Sequence, residues 1–351
     1  MISLICMMSL LLLWQILLFP ITLLYAGVVK LRNWFYDIGL SRSTRFDANV
    51  IAVGNLAIGG TGKSPMVDYL IHHFLGKQFE VSTLSRGFGR QTYGFRIATN
   101  HDTADSIGDE PYMYWRKYGG IVKVGVAEDR ELAIPQLLTG EGNEVVLMDD
   151  GFQHRRVIPT ISMVLTTFSN PFYDDYILPS GRLREHRAGV KRADFVIVTK
   201  CPEWLSEAEQ VRIKDRIHEF TDAAVYFTSI EYLQPQPVFS NELMLSNRLV
   251  AISGMSDSAP FEKKLRQNYN VLLSHSYRDH HRYNAQDIRD IVRELGDGIS
   301  LMVTEKDMVK LKEFKTLEQF SCYYLPIKVK FLRDETLFLS QLDSMLKNYV
   351  Q

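Results

Sequence analysis

The chain has 351 residues, room for about two domains at roughly 150 residues each. Hydrophobic residues make up 46%, which excludes intrinsic disorder, and 40 Lys and Arg against 41 Asp and Glu leave a net charge of -1, so no global basic field exists to hold a nucleic acid. The three cysteines, Cys6, Cys201 and Cys322, form no CxxC pair, which argues against a disulfide scaffold and a cysteine zinc site.

The first elements are apolar. No Asp, Glu, Lys or Arg precedes Lys30, a stretch long enough to span a bilayer, and neither a positive leading region nor a small-residue cleavage site marks it as a secretory signal. Lys30 and Arg32 follow directly, which by the positive-inside rule puts the rest of the chain on the cytoplasmic side, and Trp34, Phe35 and Tyr36 suit a membrane interface. Pro20 divides the stretch and fits the first turn of a helix running to about Asp37, so two pieces are expected there. Two readings stand: a spanning helix, or an extended start with Met7 or Met8 as initiator and only the segment from Pro20 lying on the membrane.

After Arg45, short apolar runs alternate with amphipathic stretches, the pattern of a parallel sheet flanked by helices. Strands are expected at Val50–Val53, Glu80–Leu84, Ile121–Val126, Glu144–Met148, Ser162–Thr166, Phe195–Thr199 and Ala224–Ile230, and a helix at Pro65–Leu75, where Val67, Leu70, Ile71 and Phe74 form one stripe. Residues 231–247 read as a connection. Beyond it, strands at Leu249–Ser253, Val271–Ser274 and Ser300–Val303 alternate with helices at Ala259–Gln267 and Ala285–Leu295, Cys322–Phe331 is extended, and Glu335–Lys347 is helical.

The chemistry concentrates at strand ends. Ala57-Ile-Gly-Gly-Thr-Gly-Lys-Ser64 follows the first strand and opens a helix, as a Walker A loop does, with Ala57 where the strict pattern has Gly. Gly59, Gly60 and Gly62 let backbone amides, including that of Thr61, approach phosphates, Lys63 reaches the β and γ phosphates, and the Ser64 hydroxyl ligates Mg2+. Glu144-Val-Val-Leu-Met-Asp149-Asp150-Gly151 reads as the Walker B strand, whose carboxylates face the nucleotide. The strand ending Thr199-Lys-Cys-Pro202 lacks the Asn-Lys-x-Asp loop that reads guanine, so ATP is the expected nucleotide.

Gln153 and His154 continue from Walker B toward the same pocket, and Ser85-Arg-Gly-Phe-Gly-Arg90 suits an anionic group. Arg182, Arg184, Arg187, Lys191 and Arg192 form either a solvated face or a clamp for a phosphorylated lipid. Gly108-Asp-Glu-Pro111, taken by itself, reads as a helix start.

Together these residues resemble the tetraacyldisaccharide 4'-kinase family. The resemblance rests on Val53-Gly-Asn-Leu, Gly59-Gly-Thr-Gly-Lys-Ser-Pro65, Ser85-Arg-Gly-Phe-Gly-Arg90, Gly108-Asp-Glu-Pro111, Asp149-Asp-Gly-Phe-Gln-His154, Pro179-Ser-Gly-Arg-Leu-Arg-Glu185, Thr199-Lys-Cys-Pro202, Asp279-His280 and Thr304-Glu-Lys-Asp307. It implies an α/β fold: a P-loop NTPase-like parallel-sheet domain, a second, smaller α/β domain and an N-terminal membrane-associated helix. The expected boundaries are 1–38 for the apolar segment, 39–230 for the P-loop kinase domain, 231–330 for the smaller domain with a two-stranded link, and 331–351 for a C-terminal helix.

The resemblance implies ATP-dependent phosphorylation of the 4'-hydroxyl of tetraacyldisaccharide 1-phosphate to give lipid IVA, at the cytoplasmic face of the inner membrane. It makes Asp109 the catalytic carboxylate, assisted by His280, and places Glu110 and Asp149 with Ser64 on the Mg2+ side. Asp150, Gln153, His154, Arg184 and Glu185 fall at substrate-side positions. Phe88 stands where Tyr is common and Ser64 where Thr is common. The alternative class is a membrane-bound P-loop ATPase acting as a binding switch.

Overall fold

This computed structural model describes residues 2–139, 144–240 and 243–346, with side chains from Leu17 onward. Lys347, the expected end of the last helix, and Asn241 and Glu242 in the expected connection lie outside the described residues. The chain forms a mixed α/β structure that divides into two compact units, one of Met1–Val81, Arg130–Ile230 and Val329–Gln351, the other of Ser82–Asp129 and Glu231–Lys328.

In the first unit, strands lie in the order Ile327–Phe331, Ala224–Tyr232, Phe195–Thr199, Ile161–Thr167, Asn49–Asn55 and Glu144–Asp149. The five from Ala224–Tyr232 to Glu144–Asp149 run parallel. Asn49–Asn55, Ile161–Thr167 and Phe195–Thr199 are buried along their whole lengths, as expected of central strands covered on both faces. Parallel direction puts their carboxyl ends, Asn55, Asp149, Thr167 and Thr199, at one edge.

The helix Lys63–Gly76 buries Val67, Leu70, Ile71 and Phe74, the stripe expected from their spacing. The C-terminal helix Glu335–Ser344 is part of the same unit: Phe338 is fully buried against Phe195, Tyr226 and Phe331, and Asp343 holds His73 and Lys77.

At Gly54 the strand passes so close to the turn after Asp149 that an added Cβ would sit 2.4 Å from the Phe152 Cβ and 2.9 Å from its backbone nitrogen. Gly54→Ala is therefore expected to destabilise the protein by about 1–3 kcal/mol, the cost of overpacking a filled core, and to lower the thermal midpoint. An unchanged midpoint would show that the Phe152 turn shifts freely.

The amino end is one helix, Ile2–Asp37, with Pro20 inside it, rather than the two pieces expected. Proline removes one backbone donor, and the helix-favouring Leu-rich residues on both sides carry the remaining ladder past it. From Leu18 the half-buried positions Thr22, Tyr25, Ala26, Val29, Asn33 and Tyr36 recur at helical spacing, while Leu17, Ile21, Leu24, Val28 and Leu31 are exposed. Among the described residues no helix is long and apolar enough to cross a membrane.

In the second unit, Glu80–Ser85 and Lys123–Val126 pair in parallel and Arg96–Ile97 closes on the latter antiparallel. A five-stranded sheet has the order Gln236–Pro237, Cys322–Leu325, Ile299–Thr304, Arg248–Ser253, Asn270–Ser276. Its faces follow the period of two: Val250, Ile252, Leu301 and Val303 enter one apolar cluster, and Leu249, Ala251 and Met302 another. Gln236–Pro237, within the expected connection, is a two-residue edge strand, the place where a sheet tolerates proline.

Candidate active site

Asn55 ends its strand inside the first unit, and the chain then forms the glycine loop. Gly59 and Gly62 have φ of 108° and 86°, left-handed values that side chains with a Cβ rarely adopt. Fully buried Asn55 underlies the loop: its amide donates to the Thr61 hydroxyl at 2.9 Å, and its side-chain oxygen accepts from Lys63 at 3.3 Å. The Thr199 hydroxyl donates to the Thr61 carbonyl at 2.8 Å. Gly62 caps the helix Lys63–Gly76 without a side chain, leaving the helix start to face the loop, with Lys63 and Ser64 as its first two residues.

Asp149 is 5% exposed at the end of its strand, and Asp150 follows at φ 54°. Lys63 lies 3.5 Å from Asp150, while Arg184 grips both carboxylate oxygens at 2.8 and 2.9 Å in a bidentate pair. Burial opposes ionisation of Asp150, but the Arg184 hydrogen bonds and the Lys63 charge outweigh it and hold the carboxyl down at about 2. Arg184 also bonds the Asn55 carbonyl and side chain, so one arginine connects the Walker B turn to the base of the loop.

Glu185, next in sequence, points elsewhere. It is 2% exposed and accepts from Arg192 on both oxygens at 2.9 Å, from Gln153 at 3.1 Å and from Asn33 at 2.9 Å. Gln153 also donates to the Asn55 carbonyl at 2.7 Å, and half-buried His154 continues that turn, its amide bonded to the Gly151 carbonyl. Of the expected substrate-side residues, Asp150, Gln153, Arg184 and Glu185 are thus joined through Asn55 and each other.

A separate cluster lies within the second unit. Gly108, at φ 97°, caps the helix Asp109–Tyr118, and an added Cβ there would meet the Gly87 Cα at 2.9 Å; glycine on both sides lets the Ser85–Arg90 loop lie against the helix start. The helix-start reading of Gly108–Pro111 therefore holds, and the same geometry places Asp109 in a charged site.

Asp109, 9% exposed, bonds His280 Nδ1 at 3.0 Å and Lys310 at 3.2 Å. Burial opposes its charge, yet the His280 bond and then the Lys310 charge outweigh it and keep the carboxyl below its ordinary range. The same bond raises the His280 pKa above its ordinary value, against burial and the Lys306 charge. His280 itself sits at φ 59°, a backbone state uncommon outside glycine, and its ring lies 5.0 Å from that of Phe88.

Glu110 is 3.0 Å from Lys306, which also reaches Asp279 at 3.0 Å. Burial alone would pull this ammonium down, but the two carboxylates hold it up to about 12. A lysine on Glu110 competes with a metal ion for the same oxygen.

A sequence profile described as tetraacyldisaccharide-1-P 4'-kinase matches residues 14–347. Proteins called tetraacyldisaccharide 4'-kinase are similar throughout: that of Flavobacterium johnsoniae is 37% identical over 92% of this chain and 94% of its own, and that of Flavobacterium psychrophilum 38% over 95% and 96%. A crystal structure of LpxK from Aquifex aeolicus in complex with ATP superposes at a TM-score of 0.75 with 27% identity, covering 95% of this chain and all of that one. This chain belongs to the tetraacyldisaccharide 4'-kinase family.

Of four residues that complete this kinase's charged sites, Lys310 escaped the sequence reading, while Lys306, Asn55 and Arg192 stood there only within motifs or a cationic run, without the partners they have here. Lys306 and Lys310, four apart on the helix Glu305–Leu311, hold Glu110 and Asp109; Asn55 underlies the glycine loop; Arg192 neutralises buried Glu185. Lys310 is 6% exposed, and a buried ammonium needs a carboxylate, which Asp109 supplies.

Proposed function

We propose that this protein transfers the γ-phosphoryl group of ATP to the 4'-hydroxyl of a tetraacylated glucosamine disaccharide 1-phosphate, giving lipid IVA in lipid A synthesis. The observation that carries this reading is the convergence of Lys63 and Arg184 on Asp150 beside the glycine loop. Phosphoryl transfer asks a protein for positioned cations more than for covalent help. When a nucleotide enters, Lys63 exchanges Asp150 for phosphate oxygens, and Arg184 supplies the second cation for the charge that spreads over the transferring group.

Ser64 and Asp149 fit Mg2+, offering one hydroxyl and one carboxylate at the base of the loop. Among the described residues no cluster of three or more His, Cys, Asp or Glu could hold a metal, and Mg2+ bound through one or two protein oxygens plus substrate phosphates needs none. Bound there, Mg2+ would neutralise charge on the β and γ phosphates. Glu110, the other residue expected on the Mg2+ side, is paired with Lys306 at 3.0 Å and would exchange that lysine for the ion.

Asp109, kept ionised by His280 and Lys310, accepts the proton of the attacking hydroxyl, and His280 supports that charge or passes the proton on. The helix Ile2–Asp37 supports membrane association. Its polar residues Thr22, Tyr25 and Asn33 face protein partners while Leu17, Ile21, Leu24 and Val28 face outward, the reverse of a helix built for water. We place the catalytic body at the cytoplasmic face of the inner membrane on this ground and on the Lys30 and Arg32 charges.

The deciding experiment supplies magnesium ATP and the disaccharide 1-phosphate in detergent. A new phosphate at position 4', with ADP release that depends on the acceptor, is the expected result. ADP release indifferent to the acceptor would favour the binding-switch alternative.

A further inference from the structure

The N-terminal helix does more than dock. Thr22 meets the Ser180 hydroxyl at 2.6 Å and accepts the Ser180 amide at 3.3 Å, the Tyr25 hydroxyl donates to the Arg184 carbonyl at 3.0 Å, Arg32 donates to the Gln153 carbonyl at 2.7 Å, and the Asn33 amide donates to Glu185 at 2.9 Å. These contacts fall on one stripe of the helix and land on Ser180, Arg184, Glu185 and on Gln153, which bonds Glu185, all within the first unit. On its other side the same segment is tied to the strand end: the Arg184 amide donates to the Leu56 carbonyl and the Ile58 amide to the Arg182 carbonyl, both at 2.8 Å.

We propose that Tyr25 and Asn33 are positioning residues for Arg184: the N-terminal helix completes the mount from which this arginine reaches Asp150 and, in the reaction, the transferring phosphoryl group. Glu185 is the joint. As a carboxylate 2% exposed, it must be saturated with donors, and Asn33 supplies one that Gln153 and Arg192 do not replace, since each of those already occupies its own place on the two oxygens. Tyr25 occupies the backbone carbonyl of Arg184, so the two peptide units flanking the guanidinium arm are held, the one before it at its amide by Leu56 and the one after it at its carbonyl by the helix. An arginine held at both ends keeps its fork geometry without an entropic penalty at each turnover.

The inference rests on the reading that Arg184 serves transfer, and its test separates the two. Arg184→Ala, Asn33→Leu, Tyr25→Phe and Asn33→Gln are compared with the natural protein in detergent for acceptor kinetics, KM for ATP and thermal midpoint. Losing a hydrogen bond to a charged group corresponds to about a tenfold fall in kcat/KM for the acceptor, expected in Asn33→Leu, and losing the neutral bond to the Arg184 carbonyl to about a fivefold fall in Tyr25→Phe, with KM for ATP unchanged in both. Asn33→Gln, which keeps the amide donor, restores most of the loss, and Asn33→Leu placed on Arg184→Ala costs nothing further.

Normal acceptor kinetics in Arg184→Ala would remove the role of the arginine. Impaired Arg184→Ala beside normal Asn33→Leu and Tyr25→Phe would remove the positioning role alone. Because Tyr25→Phe deletes a single hydroxyl, it decides the question if the Asn33 variant does not fold.

Discussion

Lys63→Ala lowers turnover by a factor on the order of 10² to 10³, the loss seen when one preorganised charge-stabilising donor is taken from a transition state. The side chain stands at the first position of a helix whose start faces the glycine loop, and its partners, Asp150 at 3.5 Å and Asn55 at 3.3 Å, are members of the site rather than of the core. The fold survives the change, because Asp150 keeps its bidentate pair with Arg184 and Asn55 keeps Thr61. Steady-state kinetics beside a thermal melt check both halves. Turnover that falls only with the melting temperature would mean that Lys63 is a structural ion-pair partner and that the phosphates are held elsewhere.

Asp150 sharpens that expectation. Its carboxyl lies near pKa 2 against an unfolded value of about 3.9, so the stability that its pairing contributes is fully present above about pH 4 and is lost as pH falls through 2. At neutral pH the anion stands constantly beside Lys63 and Arg184, in the position a phosphate oxygen would claim. Two cations kept apart from each other by one carboxylate are arranged before the nucleotide arrives, which lowers the reorganisation left for the chemical step.

The elements of this fold were readable in the chain because they are local. Phe195–Thr199 is strand in both readings, and the helix beginning at Ala259 starts where its spacing predicts, since five to ten residues of apolar pattern suffice to define each. The continuous helix through Pro20 was not readable, because one proline is a strong local breaker and only the helical run on both sides overrides it. Charged partners were less readable still. Lys310 meets Asp109 across 201 positions, and Asn33 meets Glu185 across 152, separations that no periodicity encodes. The arginine run from Arg182 to Arg192 had two readings, and the structure divides it: Arg184 and Arg192 are paired inside the site, while Arg182 is held by Asp175.

Asp109→Asn and His280→Ala are expected each to lower turnover by 10²-fold or more, within the 10² to 10⁴ that general acid–base groups contribute, with KM for ATP unchanged because the glycine loop belongs to the first unit. The double variant costs little more than the worse single one, since a carboxylate and an imidazole sharing one hydrogen bond at 3.0 Å act as one group. Losses that multiply would show two independent roles. Stability gives a second, separate reading of the pair. The His280 pKa is raised in the folded protein, so its bond to Asp109 contributes stability that is complete below about pH 6.5 and is lost as pH rises through the higher folded value. Asp109 titrates below its ordinary range and leaves that window untouched. The difference in unfolding free energy between the natural protein and His280→Ala therefore shrinks as pH rises above about 6.5. A difference that stays constant with pH would reduce His280 to its packing on Phe88, and with it the charge coupling on which the proton transfer depends.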